Sequence, residues 1–336
     1  MKKNIALLLI LLICSLSMVT AKDTGTYPTR PVLMIVPFAP GGATDLIARK
    51  AQPIMEKVLG QPIAVQNMPG GGTAIGQQYV QDAAHDGYVV LAQPTDITSI
   101  AVMGQSKLTY RDWAFIGIAA TVPATFIVNP DSQYKTLEDL VAAMKTKKLV
   151  AAVADAGCAW TRATGLFCKE LGLIIPQFIP SGGGYNAAIS AMRKEVDFAA
   201  CGLPEAIDLI QGGKLRSLAY WGETDVTLKS GTRVPTFGSR YAVLDKYTPY
   251  GGWVGMAVPF DTPKLVVDTI ISAYRTAIED QSFTDFCNER YFSKVGKYGK
   301  EADEYAKMST SINAYLLYDL GFSKNDPAKL GIQRLK

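Results

Sequence analysis

Val32-Leu33-Met34-Ile35-Val36-Pro37-Phe38-Ala39-Pro40-Gly41-Gly42-Ala43-Thr44-Asp45 is the stretch that decides the fold. Its first five residues are a continuous apolar run stopped by proline, the pattern of a strand buried on both faces. A glycine turn follows, and Asp45 stands where a helix cap belongs. Behind it Ile47, Ala51, Ile54, Met55 and Val58 recur at helical spacing until Gly60 stops the helix. Ile63-Ala64-Val65 then reads as a second strand, a glycine-rich break at 67–72 precedes another helix, and Val89–Ala92 reads as a third strand. This βαβαβ order predicts a parallel sheet with right-handed crossovers.

Farther along, the pattern restarts. Phe126–Val128, Val150–Val153, Phe178-Ile179 and Phe198–Ala200 are expected strands, with helices over Leu137–Lys145, Thr161–Leu171, Tyr185–Lys194 and Pro204–Gln211. A polar stretch from Glu223 to Tyr250 has little periodicity. The strand Trp253–Val258 and helices near Pro263–Ile278, Gln281–Glu289 and Glu301–Leu316 close the chain. About 315 residues beyond a leader exceed what one core usually organises. The expected division is a first lobe over 22–120, a second over 121–235, and a return to the first over 236–336. Hinge strands are expected near Ala119–Thr125 and within Tyr220–Gly252.

The N-terminus predicts export. Lys2 and Lys3 precede the apolar run Ile5–Met18, and Val19-Thr20-Ala21 supplies small residues for cleavage after Ala21. That run is shorter than the ~20 residues needed to cross a bilayer. Ile13 before Cys14 disfavours a lipid anchor. Charge is balanced at 34 basic against 30 acidic residues, and losing Lys2 and Lys3 leaves 32 against 30. No basic run suggests nucleic acid. The cysteines that remain are Cys158, Cys168, Cys201 and Cys287, whose spacing reveals no pairing; free buried thiols are expected, with Cys158 and Cys168 the first pair to test.

Four loops are rich in glycine or small polar residues: 38–45, 69–73, 155–158 and 180–184. Each is expected at the carboxyl end of a strand, where it would present free amides at a helix start, and such amides bind anions. Two loops per lobe, facing each other, would grip both ends of a dicarboxylate. Catalysis has little support. His85, the one histidine, reads as part of a surface turn, Gly70-Gly71-Gly72-Thr73 lacks a P-loop lysine, and no dinucleotide fingerprint occurs. No cofactor or metal is expected.

Tyr27-Pro28-Thr29-Arg30-Pro31 leading into Ile35–Asp45 resembles the opening of the tripartite tricarboxylate transporter solute receptors, also called the Bug family. Leu59-Gly60-Gln61-Pro62, Asn67-Met68-Pro69-Gly70, Asp86-Gly87-Tyr88, Val234-Pro235-Thr236-Phe237 and Pro259-Phe260-Asp261-Thr262-Pro263 are similar to its later landmarks, in order. The resemblance implies an α/β, two-lobed periplasmic-binding-protein (Venus-flytrap) fold, each lobe a mainly parallel sheet flanked by helices. It also implies a non-enzymatic, monomeric periplasmic receptor that takes an organic or aromatic carboxylate and serves a membrane permease. The family's use of backbone amides carries over to Phe38, Ala39, Pro40, Gly41, Gly42, Ala43, Thr44, Gly157, Cys158, Ser181, Gly182 and Gly183. Gly72, Thr95, Asp96, Asp155 and Arg162 complete the candidate contacts.

This chain departs from the family where a glycine-serine loop and a histidine are common, having Gly157-Cys158-Ala159-Trp160-Thr161-Arg162 instead. It also replaces a usual tyrosine and lysine at the start of the Ser181-Gly182 loop with small residues. Arg162 is a candidate partner for a ligand carboxylate, with Asp96 or Asp155 meeting an ammonium or hydroxyl. The competing role has Arg162 facing solvent or pairing with Asp155. Trp160 is either a stacking surface or a packed aromatic. Two other functions stay open: a sensory receptor docking on a histidine kinase, and a hydrolase or isomerase using Cys158.

Overall fold

A computed structural model describes residues 27–335. The leader, its cleavage point and Cys14 lie outside the described residues. In chain order the strands are β1 (Val32–Val36), β2 (Ile63–Asn67), β3 (Val89–Pro94), β4 (Trp113–Val128), β5 (Val150–Val153), β6 (Gln177–Pro180), β7 (Phe198–Gly202), β8 (Arg216–Tyr220), β9 (Val226–Thr227), β10 (Arg233–Val234), β11 (Gly251–Pro259) and β12 (Ser293–Tyr298). The α-helices are α1 (Ala43–Leu59), α2 (Ala74–Asp82), α3 (Leu137–Met144), α4 (Ala159–Leu171), α5 (Gly184–Met192), α6 (Leu203–Gln211), α7 (Phe237–Arg240), α8 (Lys264–Glu279), α9 (Gln281–Arg290) and α10 (Lys300–Asp319). No helix among the described residues is long and apolar enough to cross a membrane.

These elements form two lobes joined by β4. The first lobe orders its sheet β2-β1-β3-β11-β4-β12, the second β8-β4-β7-β5-β6. β1 has parallel neighbours on both sides, pairing Met34 with Val65 and with Val90. Met34, Ile35 and Val36 are fully buried, which is why that strand reads as an unbroken apolar run.

Both sheets are mixed rather than mainly parallel. β1–β3 and β5–β7 are the parallel units the alternation predicts. The crossing strands add antiparallel pairs, because a chain that leaves a lobe and returns runs back along its own path. β4 pairs with β11 and β12 through its first part, and with β7 and β8 from Ala124 onward. The change of partners falls beside Pro123, which lacks the N–H a ladder needs, and opposite Gly251. That proline hides a single strand of 16 residues from a sequence pattern.

The second lobe is built on an aromatic cluster. The Phe126 ring lies 5.0 Å from Phe167, 5.3 Å from Phe198 and 4.8 Å from Phe237, and Trp221 packs 4.7 Å from Phe237. Thr236 begins the turn that delivers Phe237, its Oγ1 accepting the Ser239 N–H at 3.0 Å. Thr236→Ala is expected to cost ~1 kcal/mol in urea unfolding, the usual cost of a lost cap. A midpoint identical to wild type would mean that the cap contributes nothing.

Two helices start earlier than the sequence pattern indicates. Asp45 is not the cap of α1. The helix begins at Ala43 with Gly42 as cap residue, and Asp45 sits on its first turn. There Asp45 is buried and accepts from the Gly41 N–H at 3.0 Å, Arg49 at 2.9 Å and Asn67 at 2.9 Å. α4 likewise begins at Ala159 rather than Thr161. Neither Gly42 nor Cys158 makes a side-chain cap bond, and the first amide of α1 is met from elsewhere in the fold.

Candidate functional site

Three helix starts converge between the lobes. Ala43 of α1, Ala159 of α4 and Gly184 of α5 all line one narrow cleft, with ≈ 30 Å³ open to the centres of water-sized molecules. Phe38, Thr44, Thr95, Asp96 and Trp253 face it from the first lobe; Cys158, Trp160, Gly183 and Glu205 face it from the second. The lobes touch around it. The Ala39 N–H donates to the Gly182 carbonyl at 3.3 Å, and Gln105 Nε2 donates to Asp155 Oδ1 at 2.7 Å. These contacts bridge the two lobes.

Glu205 provides the tightest cross-lobe link. From the first turn of α6, its Oε1 accepts the Ala43 N–H at 2.9 Å and its Oε2 accepts the Gly202 N–H at 2.7 Å. One carboxylate therefore completes its own helix start and that of α1 in the other lobe. Gly184 passes so close that an added Cβ would lie 1.9 Å from Glu205 Oε2, which explains the glycine there. Burial pushes the Glu205 carboxyl up to about 7, although the Ala43 and Gly202 amides pull it down; Asp96 adds to the rise.

Asp96 is the reciprocal feature. It lies in the first lobe, just after β3, and is pushed up to about 6 by burial. Arg162 pulls it down, Asp155 pushes it up, and its own amide and that of Ala159 hold it lower. The Ala159 amide belongs to the start of α4, so this carboxyl is influenced by a helix of the opposite lobe. Thr95 Oγ1 is buried on the cavity wall without a hydrogen-bond partner.

Arg162 is wholly buried and does not line the cavity. Its Nη1 donates to Ser99 Oγ at 3.1 Å and to the Gly157 carbonyl at 2.7 Å, while Nε and Nη2 have no partner. It neither faces solvent nor pairs directly with Asp155, whose contact is Gln105. Its charge acts on the site through Asp96.

Of the residues expected from sequence, Phe38, Gly42, Ala43, Thr44, Thr95, Asp96, Cys158 and Gly183 line the cavity. Ala39 and Gly182 meet at its edge, and Gly41 lies against the Tyr185 ring. Pro40 is exposed and Ser181 is half-buried, its Oγ donating to the Ile179 carbonyl at 3.4 Å. Gly72 sits under the Gln105 side chain that reaches Asp155, away from the cavity, and Gly157 is spent on Arg162. Trp160 lines the cavity. Sequence reasoning missed Glu205, Gly184 and Trp253. Gly202-Leu203-Pro204-Glu205 reads as an ordinary acid in a first helical turn, and nothing local reveals the second lobe waiting at its other oxygen.

The four cysteines among the described residues are free and buried. Burial, with Asp96 nearby, pushes the Cys158 thiol up to about 11, opposite to what a nucleophile requires. His85 ties its turn to the rest of the lobe, facing Asp261 through Nδ1 and the Gln81 carbonyl at 2.9 Å through Nε2.

The family model of the tripartite tricarboxylate transporter family receptor matches residues 47–313. A UPF0065 protein of Bordetella pertussis is 30% identical over 265 residues, which cover 78% of this chain and 80% of that protein. The solved structure of the periplasmic binding protein BugD has a TM-score of 0.80 at 27% identity, covering 89% of this chain and 100% of that one. MatC from Rhodopseudomonas palustris, solved with bound malate, has a TM-score of 0.76 at 22% identity over 87% of this chain and 100% of its own, and shares the fold.

Proposed function

This chain belongs to the tripartite tricarboxylate transporter receptor family, and from that premise we propose that it captures a small organic carboxylate between its lobes and delivers it to a membrane permease. Members of the family are periplasmic solute-binding proteins. The leader read from the sequence supports the same compartment here, with cleavage after Ala21.

One observation carries this reading. Helix starts from both lobes line one cleft, and a helix start offers N–H groups and the positive end of its dipole. Ligand contacts are assigned to the walls that meet there: Phe38 and Gly42–Thr44, with Thr95 and Asp96, on one side, and Cys158, Gly183 and Glu205 on the other. MatC holds malate. In this chain entry of a ligand into the narrow cleft needs the lobes to part, bending at the partner change in β4 and at Gly251. Closure then removes water from around the ligand and strengthens its charge-assisted hydrogen bonds.

A thermal-shift screen of small carboxylates tests the function. A ligand at a hundred times its Kd adds about 2.7 kcal/mol to stability, and the melting temperature rises with concentration. The ligand should also be recovered chemically unchanged. A screen of mono-, di- and tricarboxylates that leaves the melting temperature unmoved would sink the reading, as would turnover of any of them.

A further inference from the structure

The charged wall residues of the cavity, Asp96 and Glu205, are both acids. That is an unusual lining for a dianion. A dicarboxylate closed into it would bring four carboxylates together, with Arg162 set behind the wall and already engaged by Ser99 and Gly157. Like charges in a water-poor site repel strongly. One amide of the convergent helix starts is also already taken, because Glu205 accepts from Ala43 of α1.

The rest of the wall suits a cation. Phe38, Trp160 and Trp253 are aromatic, and aromatic faces attract organic ammonium groups. A carboxylate offers about four acceptor positions and Glu205 spends two, so it retains capacity for an ammonium N–H. Thr95 Oγ1, 2% exposed and unpartnered, is an independent sign that a polar group belongs in this space.

We propose that this cavity selects a carboxylate that also carries an ammonium group, in preference to a dicarboxylate, with Glu205 and Asp96 as the counter-charges. The proposal rests on the carboxylate-receptor reading and narrows it to zwitterions.

Calorimetry at pH 8 with length-matched probes tests it: 4-aminobutyrate against succinate, and 5-aminovalerate against glutarate. At least one amino acid is expected to bind about tenfold or more tightly than its diacid. In folded Glu205→Gln and Asp96→Asn proteins that preference should shrink by about tenfold or reverse.

A readout on the unmodified protein covers the case in which a variant fails to fold. Between pH 5 and pH 8 amino-acid affinity should rise and diacid affinity fall, as the two acids ionise. The groups that bear on them are Arg162, Asp155 and Cys158 at Asp96, and Cys201 and Asp96 at Glu205.

Equal or tighter diacid binding at pH 8 overturns the selection while leaving a carboxylate receptor in place. An unchanged preference in both folded variants overturns the role given to the two acids. Binding of neither probe class, together with a flat thermal screen, overturns both readings.

Discussion

The ligand-free protein is expected to lose on the order of 4 kcal/mol of stability between pH 5 and pH 8. The sign follows from two buried carboxyls. Glu205 titrates near 7 in the folded protein against an ordinary 4.5, and Asp96 near 6 against 3.8. Between the ordinary and the raised value the folded state keeps a proton that the unfolded chain has released. Stability therefore falls as pH climbs through that window and levels off above about 7. Each unit is worth about 1.4 kcal/mol, so Glu205 contributes roughly 3 and Asp96 roughly 1 across this interval.

Burial also raises the Asp303 carboxyl, which adds to the same trend, while the remaining shifted groups act elsewhere on the pH axis. The buried thiols titrate far above this window; Cys158 itself is at about 11. Carboxylates held low by partners, such as Asp319 beside Arg334, matter only in stronger acid. Urea unfolding at intervals of half a pH unit would measure the slope, and Glu205→Gln should remove most of its upper part. Stability that stays level or rises from pH 5 to pH 8 would show that neither carboxyl is held in the way the geometry implies.

Gly255→Val is expected to cost at least ~3 kcal/mol, enough to abolish soluble protein if the wild type is marginal. Gly255 lies on β11 where its register against β4 shifts, and an added Cβ would sit 2.2 Å from the Gly117 carbonyl oxygen. That neighbour is backbone in the middle of the first-lobe sheet, so nothing flexible can yield. Gly251, at the lobe junction, is tighter still, with its Cβ position 2.0 Å from the Val122 carbonyl oxygen. Soluble yield and the urea midpoint are the measurements. A variant within about 0.5 kcal/mol of wild type would mean that the strands separate more easily than their pairing suggests.

Much of the fold was legible where local pattern and tertiary role coincide. β1 is buried on both faces and reads as such. α3, α9 and the bodies of α4 and α5 follow their apolar spacing to within two residues. β4 was legible only in fragments, because Pro123 interrupts it while the second lobe takes over the pairing. β12 escaped notice because Ser293-Lys294-Val295-Gly296-Lys297-Tyr298 is polar, and it is held as an edge strand by β4. β8 likewise needs β4 as its partner.

From the sequence alone came the alternation of strands and helices, the glycine loops at helix starts, and the family that those loops announce. All three rest on contacts between residues near one another in the chain. Which amides those loops leave open, and what meets them, was decided by tertiary structure. Glu205 reaches Ala43 across 162 positions, and Asp96 lines the same cleft from the other lobe. Arg162 is turned inward, away from the ligand space. Long-range packing sets the charge of the cavity because a carboxylate's reach is fixed by where the backbones come to rest, and no spacing along the chain encodes that.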